Sequence, residues 1–404
     1  VAAIGSSTQI GALSIGSAQN GGITLNGAIV TDGAVVIDGP VTLATGAVSV
    51  TTANDAITFN HSIDGGQALT LVAGTAATAI QGEIGGSTAI SSLTITNGTA
   101  NGTIEIANIG GVTGATAVGN TNTGTITLDG TAYTTTGTQT YTAAAGQNID
   151  ITGAATFTTT NSNIGFATAG VDLANNGTTT INTGAGAGTV TFGAAIETNG
   201  GDNDLLVVTS GTGDVTFTGA IGATNELGGL SVNASSGDGD ITFTSTIGDA
   251  DNAGVIGTTA VGNSTTADMD FGGAIYKFDG GTTFTAVSGG TMDMAAAVAF
   301  TTAADNIEFA TAGIALANGA NLTIDTAAGA GNITVGGAIT GDSTETVTID
   351  AGTGTASVAA IGSSTQIGAL SIGSAENGGI TLNGAIVTDG AVVIDGPVTL
   401  ATGA

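Results

Sequence analysis

The sequence predicts an all-β chain wound as a parallel β-solenoid with coils of about 25 residues, and three observations carry that prediction. Matching isoleucines recur one coil apart: Ile4 and Ile29, Ile84 and Ile109, Ile196 and Ile221, and Ile221 and Ile247 all share this spacing to within one position. Between them apolar residues alternate, as in Leu13-Ser14-Ile15, Ile23-Thr24-Leu25 and Val215-Thr216-Phe217, the two-residue period of a strand with one buried side. Val1–Ala47 also returns as Val358–Ala404 with Gln19 becoming Glu376 as the single change, so a large repeat spanning 1–357 encloses the small one.

Each element follows from these patterns. Ile4-Gly-Ser-Ser-Thr-Gln-Ile10-Gly-Ala-Leu13-Ser-Ile15 leads to Ile23-Thr-Leu25; Ile84-Gly-Gly-Ser-Thr-Ala-Ile90-Ser-Ser-Leu93-Thr-Ile95 leads to Ile104-Glu-Ile106; Ile221-Gly-Ala-Thr-Asn-Glu-Leu227-Gly-Gly-Leu230-Ser-Val232 leads to Ile241-Thr-Phe243 and Ile247. Equivalent alternating positions predict that Ile4, Leu13, Ile15, Ile23, Leu25, Ile221, Leu230, Val232, Ile241, Phe243 and Ile247 point inward. Asn26-Gly27, Asp38-Gly39 and Asn97-Gly98 supply turns between the strands. Three short strands and three turns fill one coil, and stacked coils bury each other's Ile, Val, Leu and Ala. Asn163–Gly170 against Asn306–Gly313 is a second duplication, while irregular spacing over Val48–Leu69 and Thr259–Thr291 predicts longer turns or a missing strand. Residues 1–357 thus form one large repeat of about 15 coils, rising roughly 70 Å, and 358–404 begin the next. Without an initiator Met or a signal-peptide pattern at Val1-Ala2-Ala3-Ile4, the chain reads as an excerpt of an array. A string of β-sandwiches is the competing architecture, but it explains neither the coil-length self-similarity nor the absence of Trp.

Composition narrows the partners. Gly contributes 71 residues and aromatics only 3%, against 41% hydrophobic residues, which suits thin layers of small and β-branched side chains. Mean hydropathy is +0.41, yet no apolar run of about 18 residues exists to form a membrane-spanning helix. Three Tyr and no Trp cannot build the aromatic girdles of an outer-membrane barrel. With 31 acidic residues against the single base Lys277, net charge −30 excludes nucleic acid, whose phosphates require Lys and Arg. There is no Cys, so neither disulfides nor thiolate metal sites form.

Gly22-Ile-Thr-Leu-Asn-Gly-Ala-Ile29, Asp214-Val-Thr-Phe-Thr-Gly-Ala-Ile221, Asp240-Ile-Thr-Phe-Thr-Ser-Thr-Ile247 and Tyr133-Thr-Thr-Thr-Gly-Thr-Gln-Thr-Tyr141 resemble the repeats of large bacterial surface proteins of the filamentous-haemagglutinin type. The resemblance covers most of the chain and is one of composition and period. It implies a right-handed parallel β-helix on a cell surface; the N-terminal secretion domain of such proteins is not in this sequence.

Candidate chemistry is sparse. His61 stands alone just beyond a strand, without the nucleophile and orienting carboxylate that catalysis needs. Lys277, between Tyr276 and Phe278, is expected to lay its stem over these rings. Glycoside hydrolysis by paired carboxylates has only fold analogy behind it, and the chain has no Arg to line a cleft. The acidic turns say more: Asp202 and Asp204 follow Ile196, Glu226 follows Ile221, and Asp249 and Asp251 follow Ile247, with Asp238 and Asp240 in a further turn. Carboxylates stacked on successive coils repel, and calcium would relieve them, so these seven residues are the candidate metal ligands. The regular glycine-aspartate nonapeptide of calcium-binding β-rolls is absent, and a merely solvated acidic edge is the competing reading. Thr158–Thr160 and Thr178–Thr180 are candidate flat threonine arrays, and Asn97-Gly98-Thr99 is a sequon that chance alone explains in an Asn/Thr-rich chain.

Together these features predict a structural protein without catalytic activity: a stalk or filament of an extracellular bacterial fibre, adhesin or matrix, joined to itself end to end. The alternative is an adhesin passenger that grips a host or carbohydrate surface through side loops.

Overall fold

The computed structural model describes residues 1–5, 7–17, 21–98, 101–173, 177–200, 203–374 and 378–401, in two compact units, Val1–Ala195 and Ile196–Ala404. Among the described residues every regular element is a strand, and no helix is long and apolar enough to cross a membrane. The strands pair in parallel, as a β-solenoid of about 15 turns with coils of ~24 residues.

In Val1–Ala195 three sheets are built at once as the chain winds. The first runs from Leu13–Gly16 to Gly170–Leu173, the second from Ile29–Thr31 to Val190–Phe192, and the third from Ile23–Leu25 to Thr178–Asn182. In Ile196–Ala404 the sheets run from Val215–Phe217 to Ile339–Thr340, from Leu205–Thr209 to Val398–Leu400, and from Ile275–Phe278 to Val392–Ile394. Parallel pairing in register places like on like: Val35 pairs with Ile57, Ile57 with Thr78, and Thr78 with Ile104. Each inward side chain is roofed and floored by its neighbours. Ile57, Ile84, Ile221 and Ile247 are therefore 0% exposed, each contributing about 1.5–3 kcal/mol of apolar burial.

The isoleucine steps read from the sequence are single coils, since Ile4 bridges Ile29, Ile84 bridges Ile109, and Ile221 bridges both Ile196 and Ile247. Coil length varies elsewhere: the step from Val35 to its partner Ile57 is shorter, and that from Leu230 to its partner Thr259 is longer. The expected irregular segments are also largely regular. Val48–Thr52, Ile57–Phe59, Ile63–Asp64 and Ala68–Val72 follow one another without a gap in the coil, and only the Gly262–Asp268 turn is long within Thr259–Thr291.

Strands are missing instead at the aligned Ile-Gly stretches. At each, two apolar residues bridge the next coil while the residues between them leave the sheet as an excursion: Ile4 and Ile10 bridge Ile29 and Thr31, Ile84 and Ile90 bridge Ile109 and Val112, Ile221 and Leu227 bridge Ile247 and Val255, and Ile361 and Ile367 bridge Ile386 and Thr388. The glycine after the first Ile makes the exit. Gly85 has φ +72° and Gly222 φ +61°, and a Cβ would stand 1.9 Å from the Gly111 carbonyl oxygen or 2.0 Å from that of Gly254. No other residue fits between the coils there.

The few aromatic residues all lie in the core. The largest fully buried side chains are Tyr and Phe, stacked through successive coils: Tyr133 on Phe157 at 4.7 Å, Phe166 on Phe192 at 5.2 Å, Phe217 on Phe243 at 5.0 Å, and Tyr276 on Phe300 at 4.9 Å between centroids. Polar closure comes from buried corner hydroxyls, which donate to turn carbonyls that no ladder reaches: Thr135 to Gly137 at 2.6 Å, Ser210 to Gly213 at 2.5 Å, and Thr302 to Asp305 at 2.6 Å.

The two copies of the repeated segment take the same register, each within its own unit. Leu13 pairs with Val35 and Ile23 with Val41 in the first copy, as Leu370 does with Val392 and Ile380 with Val398 in the second. Of the expected inward residues, Ile4, Leu13 and Ile15 are half-buried, whereas their copies Ile361, Leu370 and Ile372 are buried beneath a preceding coil. The remaining eight are buried outright.

Candidate functional site

The acidic turns do follow consecutive members of one stack, Ile196, Ile221 and Ile247. Asp202 lies outside the described residues. Asp204 is buried, and its carbonyl accepts the Gly228 N–H at 2.9 Å. Glu226 is half-buried, with its carbonyl taken by the Thr198 hydroxyl at 3.1 Å. Asp249 turns back on its own loop, accepting the N–H groups of Asp251 at 2.8 Å and Asn252 at 2.7 Å, which hold its carboxyl below the ordinary range. Asp251 is exposed. Among the described residues no three acidic or imidazole groups come together as a metal-holding cluster.

Asp240 belongs to a ladder that the sequence did not suggest. Its N–H donates to Asp214 Oδ1 at 3.1 Å, the Asp268 N–H donates to Asp240 Oδ1 at 3.1 Å, and the Thr291 N–H donates to Asp268 Oδ1 at 2.7 Å. Asn performs the same task elsewhere, as Asn163 accepts from Thr189 at 3.0 Å and Asn306 from Asn332 at 2.8 Å. An amide oxygen serves as well as a carboxylate, so the ladder needs an acceptor and not a charge. Asp238 is exposed, and its N–H donates to Gly211 at 2.7 Å.

The excursions use carboxylates more specifically. Asp64 Oδ1 accepts the N–H groups of Ser87 at 2.8 Å and Thr88 at 3.0 Å, and Glu197 Oε2 those of Thr224 at 3.1 Å and Asn225 at 2.9 Å. Two consecutive N–H groups form a small anion nest, filled by the residue that follows the bridging Ile of the preceding coil. Before the Ile361 excursion that residue is Thr340, whose hydroxyl donates instead to Ile314 at 3.4 Å.

Two buried acids share a role that sequence reasoning missed. Asp204 and Glu345 occupy matching places, each passing its carbonyl to the glycine after an excursion, Gly228 at 2.9 Å or Gly368 at 2.8 Å. Burial of Glu345 would raise its pKa, but hydrogen bonds involving Asp342, its own backbone and Thr344 prevail and hold it at about 2. Its Oε2 accepts the Asp342 N–H at 2.7 Å. The signal available in the sequence was the acid's fixed place shortly before a strand.

In-register carboxylates also meet on outward positions. Asp150 pairs with Asp172 across adjacent coils, and burial together with the Asp172 charge raises Asp150; burial raises Asp172. Glu105 is raised by burial and then by Asp129.

The lone His and Lys are plain. His61 Nε2 lies 3.3 Å from Asp38 Oδ1, the oxygen that also accepts Asn60 Nδ2 at 3.3 Å. Lys277 does not cover its neighbours, because Tyr276 and Phe278 point inward with 0% exposure while Lys277 faces out and Nζ donates to Ala250 at 3.1 Å. The threonine triplets split likewise: Thr159 and Thr179 are buried between outward neighbours, so neither run is a flat array. Asn97 is buried with Nδ2 donating to Ala76 at 2.8 Å, which removes it as a glycosylation acceptor. A shallow depression of about 220 Å³ beside the second excursion is lined by Ala89, Thr113, Thr134, Thr136 and Thr160 among others, without a titratable group.

The fold places the chain among β-solenoid repeat proteins. No protein-family model matches it, and no curated protein and no solved structure is significantly similar to it.

Proposed function

We propose that the chain is a structural stalk or filament segment of an extracellular bacterial fibre, adhesin or matrix, extended by continuation of the solenoid from coil to coil. One observation carries this reading. The two copies of the repeated segment pair identically, Leu13 on Val35 and Ile23 on Val41 in the first as Leu370 on Val392 and Ile380 on Val398 in the second, so the pairing that opens one large repeat also opens the next without a change of register. Fibre diffraction from the native assembly tests this. A meridional spacing of about 4.8 Å with an axial repeat of roughly 70 Å supports it, and capped single particles overturn it. The alternative, an adhesin passenger, draws on the excursions, which carry exposed Ser87, Thr88 and Thr224 off the sheets.

A further inference from the structure

We infer that two copies of this chain pair side by side through the second sheet of Val1–Ala195, the sheet that runs from Ile29–Thr31 to Val190–Phe192. This goes beyond end-to-end continuation and requires only the solenoid. Charge is unevenly placed: of the 31 carboxylates, nine fall in Val1–Ala195 and 22 in Ile196–Ala404. The outward positions of the first sheet in Val1–Ala195 include Asp38, Glu105, Asp150 and Asp172, and the third carries Asp64 and the Gly85–Ala89 excursion.

Past the Ile4 and Ile10 bridges to its first strand, the second sheet has neither. From Ile29–Thr31 onward its outward columns are Ser49, Thr70, Thr94, Ala117, Thr140, Gly165 and Thr191, and beside them Val30, Thr51, Val72, Thr96, Thr142 and Ala167. All eight strands are in register without a bulge, so the side chains form two straight rows of short, uncharged groups.

A second copy is the occupant this face fits. Any two such chains, at net charge −30 each, repel over most approaches. On this face alone they meet without setting carboxylate strand positions against one another. The rows on both copies share one spacing, about 4.8 Å, so facing sheets interdigitate along their whole length at the roughly 10 Å separation of packed sheets. Eight strands span roughly 35 Å and strands of three to five residues are roughly 13 Å wide, giving about 450 Å² per copy and about 900 Å² per pair. That is below the approximately 1,200 Å² of stable interfaces. One contact is therefore weak and short-lived, and successive contacts along an array add up to a bundle.

The absence of Cys makes the pairing directly readable. Thr94→Cys places one thiol near the middle of the proposed face, and Thr127→Cys places one on the first sheet, paired with Glu105 and Asp150. Both positions are half-buried strand sites. In the full chain under mild oxidant, T94C should trap disulfide dimers on the order of tenfold faster than T127C. Adding Thr70→Asp and Thr140→Asp to T94C should bring its rate down to that of T127C, with circular dichroism confirming the fold. Equal trapping by T94C and T127C overturns the proposal, and so does trapping by T94C that the two aspartates leave unchanged. Trapping through Thr94 without filaments would remove the end-on reading and leave this one standing.

Discussion

Replacing Gly85 by Ala puts the excursion geometry to a direct test, with Gly66→Ala as its partner. At Gly85 the backbone has φ +72°, and the new Cβ would lie 1.9 Å from the Gly111 oxygen and 2.9 Å from its carbonyl carbon. Holding an L-residue in the left-handed region costs about 1–2 kcal/mol. The clash adds to this, because the Gly111 peptide cannot retreat freely: its oxygen accepts the Ile90 N–H and its N–H donates to the Ile84 oxygen, both at 3.2 Å. Giving up these two bonds costs about 1 kcal/mol each. G85A should therefore lose roughly 3–4 kcal/mol. Gly66 has no positive φ and nothing within 4 Å of an added Cβ, so G66A should be neutral or gain up to about 0.5–1 kcal/mol through the unfolded chain. Urea unfolding measures the difference, and amide exchange at Ile84, Ile90 and Gly111 locates it, since solenoids open locally. A loss below about 1 kcal/mol in G85A, or an equal loss in G66A, would refute the argument.

Four other outcomes follow from the carboxylates. Asp64→Ala should free the Ser87 and Thr88 amides to exchange faster and cost about 1 kcal/mol, as loss of a helix cap does, while Thr340→Glu should slow exchange in the Ile361 excursion by filling its nest. Raised pKa values at Glu105, Asp150 and Asp172 mean that the folded chain binds these protons more tightly than the unfolded one; their contribution to stability grows as pH falls from neutral through the folded pKa, and Asp150→Asn should stabilise at pH 7 but not in acid. Glu345 runs the other way, its contribution being present above its ordinary pKa of 4.5 and lost as pH falls through about 2, which melting curves of Glu345→Gln against pH would show. For the calcium expectation, chelation should leave the melting temperature unchanged if Asp214, Asp240 and Asp268 act only as hydrogen-bond acceptors, and a drop of several degrees would place ions at the acidic turns.

The winding of the chain was legible because it is written in the two-residue period and in the one-coil spacing of Ile84 and Ile109, and both follow from backbone geometry alone. Inward and outward positions were legible for the same reason. The aromatic stacks were not. Phe217, Phe243 and Phe271 are unequally spaced along the chain, and only the register reveals that their rings share one column. The role of the acidic turns was less legible for a related reason. Sequence proximity showed that Asp249 and Asp251 follow a stacked Ile, but whether a carboxylate faces its neighbour or folds back on its own N–H groups is decided by the local turn, as it is at Asp249.

The aligned Ile-Gly stretches show how far sequence similarity and spatial equivalence can part in a repeat protein. Within Val1–Ala195, Ile4 bridges Ile29 on the second sheet, whereas Ile84 lies between Ile63 and Ile109 on the third. Within Ile196–Ala404, the stack of Ile221 leads to Tyr276 and that of Ile361 begins at Ile339, again on different sheets. Nothing in the motif ties it to one side of the coil. It needs a carbonyl of the next coil beneath a left-handed glycine, as at Gly5, Gly85, Gly222 and Gly362; a carboxylate of the preceding coil that takes two of its N–H groups is added at the Ile84 and Ile221 copies and is dispensable at the Ile361 copy. The copies are equivalent in their local chemistry and not in their place around the solenoid, so the motif is a portable device for lifting a polar loop off any sheet without breaking the stack.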